Sequence, residues 1–150
     1  MRKVVLFMVV CFLTMVSCQE KASYTKDDLA GAWSSITVKS FDADKKLIEE
    51  SVPKDDFNCG QMIWTIGADE IDVMHYVGRD GDDNCIEAHT ILKYSVAKDV
   101  ISTIDENGIQ EHFEIINLTK DILTVMVKLA KPVEYNGSAF QYVELTYEKL

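Results

Sequence analysis

From Trp33 to the C-terminus, apolar and polar residues alternate with a period of two, and turn residues break the alternation about every 8 to 12 positions. No stretch carries a helical stripe long enough to compete, so the pattern predicts an all-β antiparallel meander. Trp33 to Phe41 and Lys46 to Val52 flank the turn Asp42-Ala43-Asp44-Lys45, and Pro53, which has no amide proton for a ladder, ends the second strand. Met62 to Ile66 and Ile71 to Val77 flank Gly67-Ala68-Asp69-Glu70. Cys85 to Val96 follows the acidic loop Gly78 to Asn84, and Val100 to Asp105 follows Lys98-Asp99. Ile109 to Leu118 follows Glu106-Asn107-Gly108, whose Asn-Gly is a strong hairpin signal. Ile122 to Leu129 comes after Thr119-Lys120-Asp121, and Ala139 to Leu150 after the longer loop Ala130 to Ser138. The count is eight or nine strands.

The faces are legible. Val143, Leu145 and Tyr147 alternate with Glu144, Thr146 and Glu148, and Leu123, Val125, Val127 and Leu129 alternate with Thr124, Met126 and Lys128. One buried and one wet face, repeated over consecutive strands, is what an up-and-down β-barrel requires; an open sandwich would show the same alternation. Ahead of the strands, Thr25 and Asp28 have the spacing of a capping box, so Lys26 to Ala30 reads as one helical turn stopped by Gly31. Trp33 then supplies the large apolar side chain that fills a small barrel's floor.

The first residues read differently. Arg2 and Lys3 precede the mostly apolar run Val4 to Val16, which is too short to cross a bilayer and has the form of an export signal. Met15-Val16-Ser17-Cys18 resembles a bacterial lipoprotein box, which implies removal of residues 1–17 and a diacylglycerol thioether on Cys18. An ordinary secretory signal cut elsewhere, or a buried N-terminal strand, is the alternative. Residues 18–24 would be a lipidated tether and residues 25–150 the folded domain. Such an anchor implies a cell-envelope location, most simply the outer membrane, on either its periplasmic or its outward face. With Cys11 lost and Cys18 acylated, Cys59 and Cys85 remain, and in an exported protein such a pair is most simply a disulfide, two free thiols being the alternative.

Loss of Arg2 and Lys3 moves the formal charge from −10 to about −12. That balance disfavours nucleic acid and anionic lipid headgroups as direct partners, since both are polyanions.

Leu29-x-Gly31-x-Trp33, Cys59 before the third strand and Cys85 after the fourth, Ile115-Ile116-Asn117-Leu118-Thr119, and the closing Leu145-Thr146-Tyr147-Glu148-Lys149-Leu150 occur in this order. In these features the chain resembles the lipocalin-like domains of lipoproteins from Bacteroidetes-type bacteria. Two departures stand out. Ser34-Ser35 follow the tryptophan where a large residue is usual, and the last-strand arginine that caps this tryptophan in typical lipocalins has no clear equivalent, Lys149 being the nearby cation. The family implies a barrel able to hold a small apolar ligand.

The candidate lumen is Trp33, Trp64, Val73, His75, Leu92, Tyr94, Phe113, Val125, Val143, Leu145 and Tyr147; a fully packed core is the competing reading. His75 shares a face with Ile71, Val73 and Val77, whereas His89 and His112 fall on outer faces. Asp80, Asp82 and Asn84 alternate like calcium ligands, but Cys85 and Ile91 occupy the positions of the required glycine and glutamate, so a solvated hairpin tip is favoured. No metal motif, cofactor motif or catalytic constellation is present, which points to a binding or structural protein rather than an enzyme. A second class is a surface-acting inhibitor of a cationic enzyme: Tyr135-Asn136-Gly137-Ser138-Ala139-Phe140 resembles the serine-bearing loop of lysozyme-inhibitor lipoproteins. A purely structural envelope role is the third.

Overall fold

One helical turn and nine strands make up the computed structural model, which describes residues 23–53, 55, 57–135 and 137–150. The expected export signal and Cys18 lie outside the described residues. The helix α1 spans Lys26–Leu29. The strands are β1 (Gly31–Phe41), β2 (Leu47–Ser51), β3 (Ile63–Ile66), β4 (Glu70–Arg79), β5 (Cys85–Ala97), β6 (Val100–Ile104), β7 (Gln110–Leu118), β8 (Ile122–Tyr135) and β9 (Ser138–Lys149).

All pairings are antiparallel, β3 through β9 run in sequence order, and β1 pairs with β9, so β1 and β3–β9 close an eight-stranded barrel and exclude the open sandwich. β1 serves two partners on its other side. Its first half pairs with β3 (Gly31↔Ile66 through Ser34↔Ile63) and its second half with β2 (Val38↔Ser51 through Phe41↔Leu47). Register shifts in β1, β4 and β7 add the local bend that a small closed sheet needs. Inward-facing Trp33, Trp64, Ile66, Ile71, Tyr94, Ile101, Phe113, Ile115, Leu123, Val125 and Tyr147, joined by Leu29, form one core at one end of the barrel. Burying an aliphatic or aromatic side chain there contributes on the order of 2–3 kcal/mol.

That end is closed by α1 and its neighbours. The Asp28 carboxylate accepts the hydroxyl and the amide of Thr25 at 2.7 and 2.8 Å, and these bonds hold its pKa below the usual carboxylate value. Leu29 and Trp33 are fully buried, and the Trp33 indole donates to the Leu29 carbonyl at 2.7 Å. The Tyr24 amide donates to Asp99 in the β5–β6 turn, fixing the entering chain at the same end. Lys149 fills the position that the sequence left in doubt. Its ammonium lies 5.0 Å from the Trp33 ring centroid and donates to the Ala30 carbonyl at 2.9 Å. Gly31 makes room for it: φ is +130°, and a Cβ there would lie 2.7 Å from Lys149 Cε.

At the other end one turn recurs. Asp42 accepts the amides of Asp44 and Lys46, Asp80 those of Asp82 and Asn84, and Asp105 those of Asn107 and Ile109, all at 2.7–2.9 Å. In the segment after β2, Asp55 does the same for Phe57 and Cys59. In each case the third residue after the aspartate has positive φ: Lys45, Asn58, Asp83 and Gly108. Asp80 is therefore a turn anchor. The Asn84 side chain and amide hold its carboxyl below the usual range. Asp55 shifts the same way although desolvation opposes it, because the amides of Cys59, Gly60, Phe57 and Asn58 outweigh that cost.

Cys59 and Cys85 form the expected disulfide, Cα to Cα 5.7 Å, which ties the segment after β2 to the start of β5. One expectation needs correction. The predicted loop Ala130 to Ser138 is mostly strand: β8 continues to Tyr135 and turns directly into β9, with Tyr135 opposite Ser138. Pro132 is tolerated because the register jumps between Lys128↔Tyr142 and Val133↔Phe140, and the intervening residues have no ladder partner to lose.

Candidate functional site

Residues opposite one another in a ladder share a face, so the register traces the interior wall. Ile71 faces Leu92 and Val73 faces Thr90; Tyr94 faces Thr103; Ile101 faces Phe113 and Thr103 faces Glu111. The lower members of this series are the buried core. The upper members, Val73 and His75 of β4, Thr90 and Leu92 of β5, Thr103 of β6 and Glu111 of β7, together with Asp105 and Ile109 of the β6–β7 turn, line an open cup of about 340 Å³. A volume of this size suits a small organic molecule.

Aromatic packing sets the depth of the barrel's filled half. Trp64 meets Phe113 edge to face, centroids 5.3 Å apart, and lies against Tyr147 at 4.8 Å. Phe113 is two residues below Glu111 on the same face, so the cup stops where the aromatic cluster begins. At the far bottom the Tyr94 hydroxyl donates to Gly67 at 2.7 Å, and the Lys26 ammonium sits 4.7 Å from its ring.

The cup brings together Val73, His75 and Leu92 from the sequence-derived set. Trp33, Trp64, Tyr94, Phe113, Val125 and Tyr147 lie in the packed core, and Leu145 packs against it. Val143 is half-buried opposite Val127. The sequence reading left out Thr90, Thr103, Asp105, Ile109 and Glu111. Their signal was parity: each falls in step with Leu92, Ile101 or Phe113, but a polar residue in step with an apolar face is easily passed over.

The other two histidines sit outside the cup. His89 Nδ1 is 2.9 Å from Asp72, and His112 Nδ1 is 2.9 Å from the Ser102 hydroxyl. A second concavity of about 520 Å³ runs over the outer face between Lys98, His112, Glu114, Met126, Lys128 and Tyr142. Among the described residues no group of three or more histidine, cysteine, aspartate or glutamate side chains is placed to hold a metal ion.

An eight-stranded antiparallel barrel, plugged at one end by a helical turn and a tryptophan and open at the other, defines a calyx-shaped binding scaffold. The family model for the lipocalin-like domain matches residues 29–125, and the chain belongs to that family. A lipocalin-like protein from Bacteroides uniformis ATCC 8492 has a similar fold, with a TM-score of 0.51 and 16% identity over 82% of this chain and 99% of its own. A deswapped triple mutant of bovine odorant binding protein is 20% identical over 82% of this chain and 75% of its own, with a TM-score of 0.38. No curated protein matches the chain.

Proposed function

We propose that this chain is a lipid-anchored envelope protein that binds a small molecule in the open end of its barrel, acting as a binding protein and not an enzyme. The observation that carries the reading is the cup itself. Above the aromatic cluster the barrel interior is lined by short or polar side chains and remains about 340 Å³ open. A native mass spectrum of the chain, exported as the Cys18→Ser form from the periplasm of a related host and incubated with an envelope extract, tests it. A reproducible adduct of a few hundred daltons that leaves on denaturation is expected, and is lost when Leu92→Trp fills the cup. A bare mass under all these conditions overturns the reading.

The anchor rests on Met15-Val16-Ser17-Cys18. The entering chain is fixed at the closed end through Tyr24 and Asp99. Gln19 to Ser23 extend at most about 17 Å, whereas β4 alone, ten residues long, carries its wall about 30 Å along the strand to the mouth. An acyl chain on Cys18 would therefore set the closed end toward the bilayer and turn the cup to the aqueous side. Detergent partitioning of wild type and Cys18→Ser checks the anchor: only the wild type should enter the detergent phase, and equal partitioning would remove it.

A further inference from the structure

The charge inside the cup is one-sided. Its lining contains no lysine or arginine, while Glu111 faces the opening from β7 and Asp105 from the adjoining turn. The two carboxylates differ. Asp105 is committed to its turn, where it accepts the amides of Asn107 and Ile109 at 2.9 and 2.7 Å. Glu111 has no hydrogen-bond or ion-pair partner among the described residues, and neither has His75 on the facing wall.

The surroundings reinforce this asymmetry. Of the four turns at the mouth, three carry Asp42 and Asp44, then Asp80, Asp82 and Asp83, then Asp105 and Glu106, and the fourth joins β8 to β9. Two of the cations near them are engaged elsewhere, while Lys46 stands in the first turn itself. Arg79 donates to the carbonyls of Phe57, Asn58 and Asp83, and Lys45 lies 5.3 Å over the Tyr142 ring. A concave site ringed mostly by one sign of charge focuses that potential inward and raises the local concentration of counter-ions.

Resting on the reading of the cup as a binding site, we infer that its ligands are small organic cations, amines with a short apolar body. The ammonium group meets Glu111 in a charge-assisted hydrogen bond. An ammonium has three protons to donate, and the Thr103 hydroxyl, directly across the ladder from Glu111, is an acceptor for another. Val73, Leu92 and Ile109 offer the apolar contact. An anionic ligand of the same shape gains the apolar contact and meets an unpaired carboxylate.

Three probes on one skeleton separate these contributions: tryptamine, the neutral indole-3-ethanol and indole-3-acetate. Each is titrated calorimetrically into the purified Cys18→Ser chain, which needs no detergent that would compete for the cup. Tryptamine is expected to bind about tenfold tighter than the alcohol, the acetate weakest, and Glu111→Gln should remove the tenfold advantage without changing the affinity for the alcohol. Raising the salt from 20 to 300 mM should weaken tryptamine binding alone. Equal affinities for amine and alcohol, or a tryptamine affinity unchanged in Glu111→Gln, overturn the cation preference and leave the cup standing as a small-molecule site. Loss of all three probes from a wild type that still shows its envelope-derived adduct also overturns the preference. Because Glu111 is exposed and unpaired, a matched thermal melt of Glu111→Gln and wild type shows that the variant reports on binding.

Discussion

Replacing Gly31 by alanine should destabilise the protein by about 3 kcal/mol, and the structure divides that cost into two parts. The first is backbone strain: φ of +130° lies where a side chain is rarely found, and holding a non-glycine residue there costs about 1–3 kcal/mol. The second is displacement of Lys149, because the new Cβ would sit 2.7 Å from its Cε. The lysine end is flexible and can move, but moving it gives up the bond to the Ala30 carbonyl and the position over Trp33, worth together about 1 kcal/mol at this exposed site. Urea unfolding followed by tryptophan fluorescence measures the total, which corresponds to a fall in Tm of roughly 12 °C. The partition is tested in a Lys149→Ala background, where only the strain remains and Gly31→Ala should cost about 1 kcal/mol less. A loss below about 1 kcal/mol in the wild-type background would refute the strain argument. An identical loss in both backgrounds would refute the role given to Lys149.

Three further outcomes follow from the same geometry. Lys98 and Asp99 both have positive φ in the β5–β6 turn, so Lys98→Asn should raise stability by about 0.5 kcal/mol in urea melts, asparagine tolerating that conformation better than lysine. The Tyr147 hydroxyl is buried with no partner among the described residues, and burial pushes its pKa well up. Its neutral form is kept in the fold, so stability holds below about pH 10 and falls above it as the unfolded chain ionises. Tyr147→Phe should add about 1 kcal/mol at neutral pH and shift the alkaline unfolding midpoint upward; a variant less stable than wild type at both pH values would show that the hydroxyl has a use in the core. Reducing the Cys59–Cys85 bridge should cost about 2–4 kcal/mol and make the segment after β2 the first site of proteolytic nicking, seen as a cut between β2 and β3 before loss of the barrel signal.

Most of the wall was readable from alternation because register in a half-buried sheet is strongly specified: a slip of one residue would turn Leu123, Val125 and Val127 out to solvent. The disulfide followed from counting the cysteines left once the first residues are read as an export signal. What escaped were features made by groups distant in sequence. Lys149 was named only through the resemblance, as the nearby cation, because its contact with Trp33 exists only once β9 closes on β1. The Asp42 and Asp80 turns were visible as separate loops, Asp105 was read as the end of a strand, and Asp55 was not singled out. Their common device, a carboxylate taking the amides two and four residues on, is a backbone geometry that acidic composition alone does not reveal. Within the stretch read as a loop, Pro132 forbids a ladder bond, and the chain meets that demand by breaking register while staying extended.

The division of the barrel into a filled half and an open half has a simple origin in side-chain size. Along β4 through β7 the inward series runs from Ile71, Tyr94, Ile101 and Phe113 near the plug to Val73, Thr90, Thr103 and Glu111 toward the mouth. Eight strands leave an interior that large side chains just fill, so replacing them by threonine or valine over one layer is enough to open a cup without changing strand number or register. The aromatic layer stabilises the fold and also sets how deep a ligand can go, which restricts the cup to small molecules. Thr90 and the Glu111 carboxylate stand in the upper layer where water reaches them, and the buried Thr103 lines the cup between their strands. Moved two residues down into the Phe113 layer, the same carboxylate would lose its solvation with no cation to replace it. The site that can afford an unpaired charge is thus the site that is open, and its selectivity and its exposure arise from the same substitution of small and polar residues for large apolar ones.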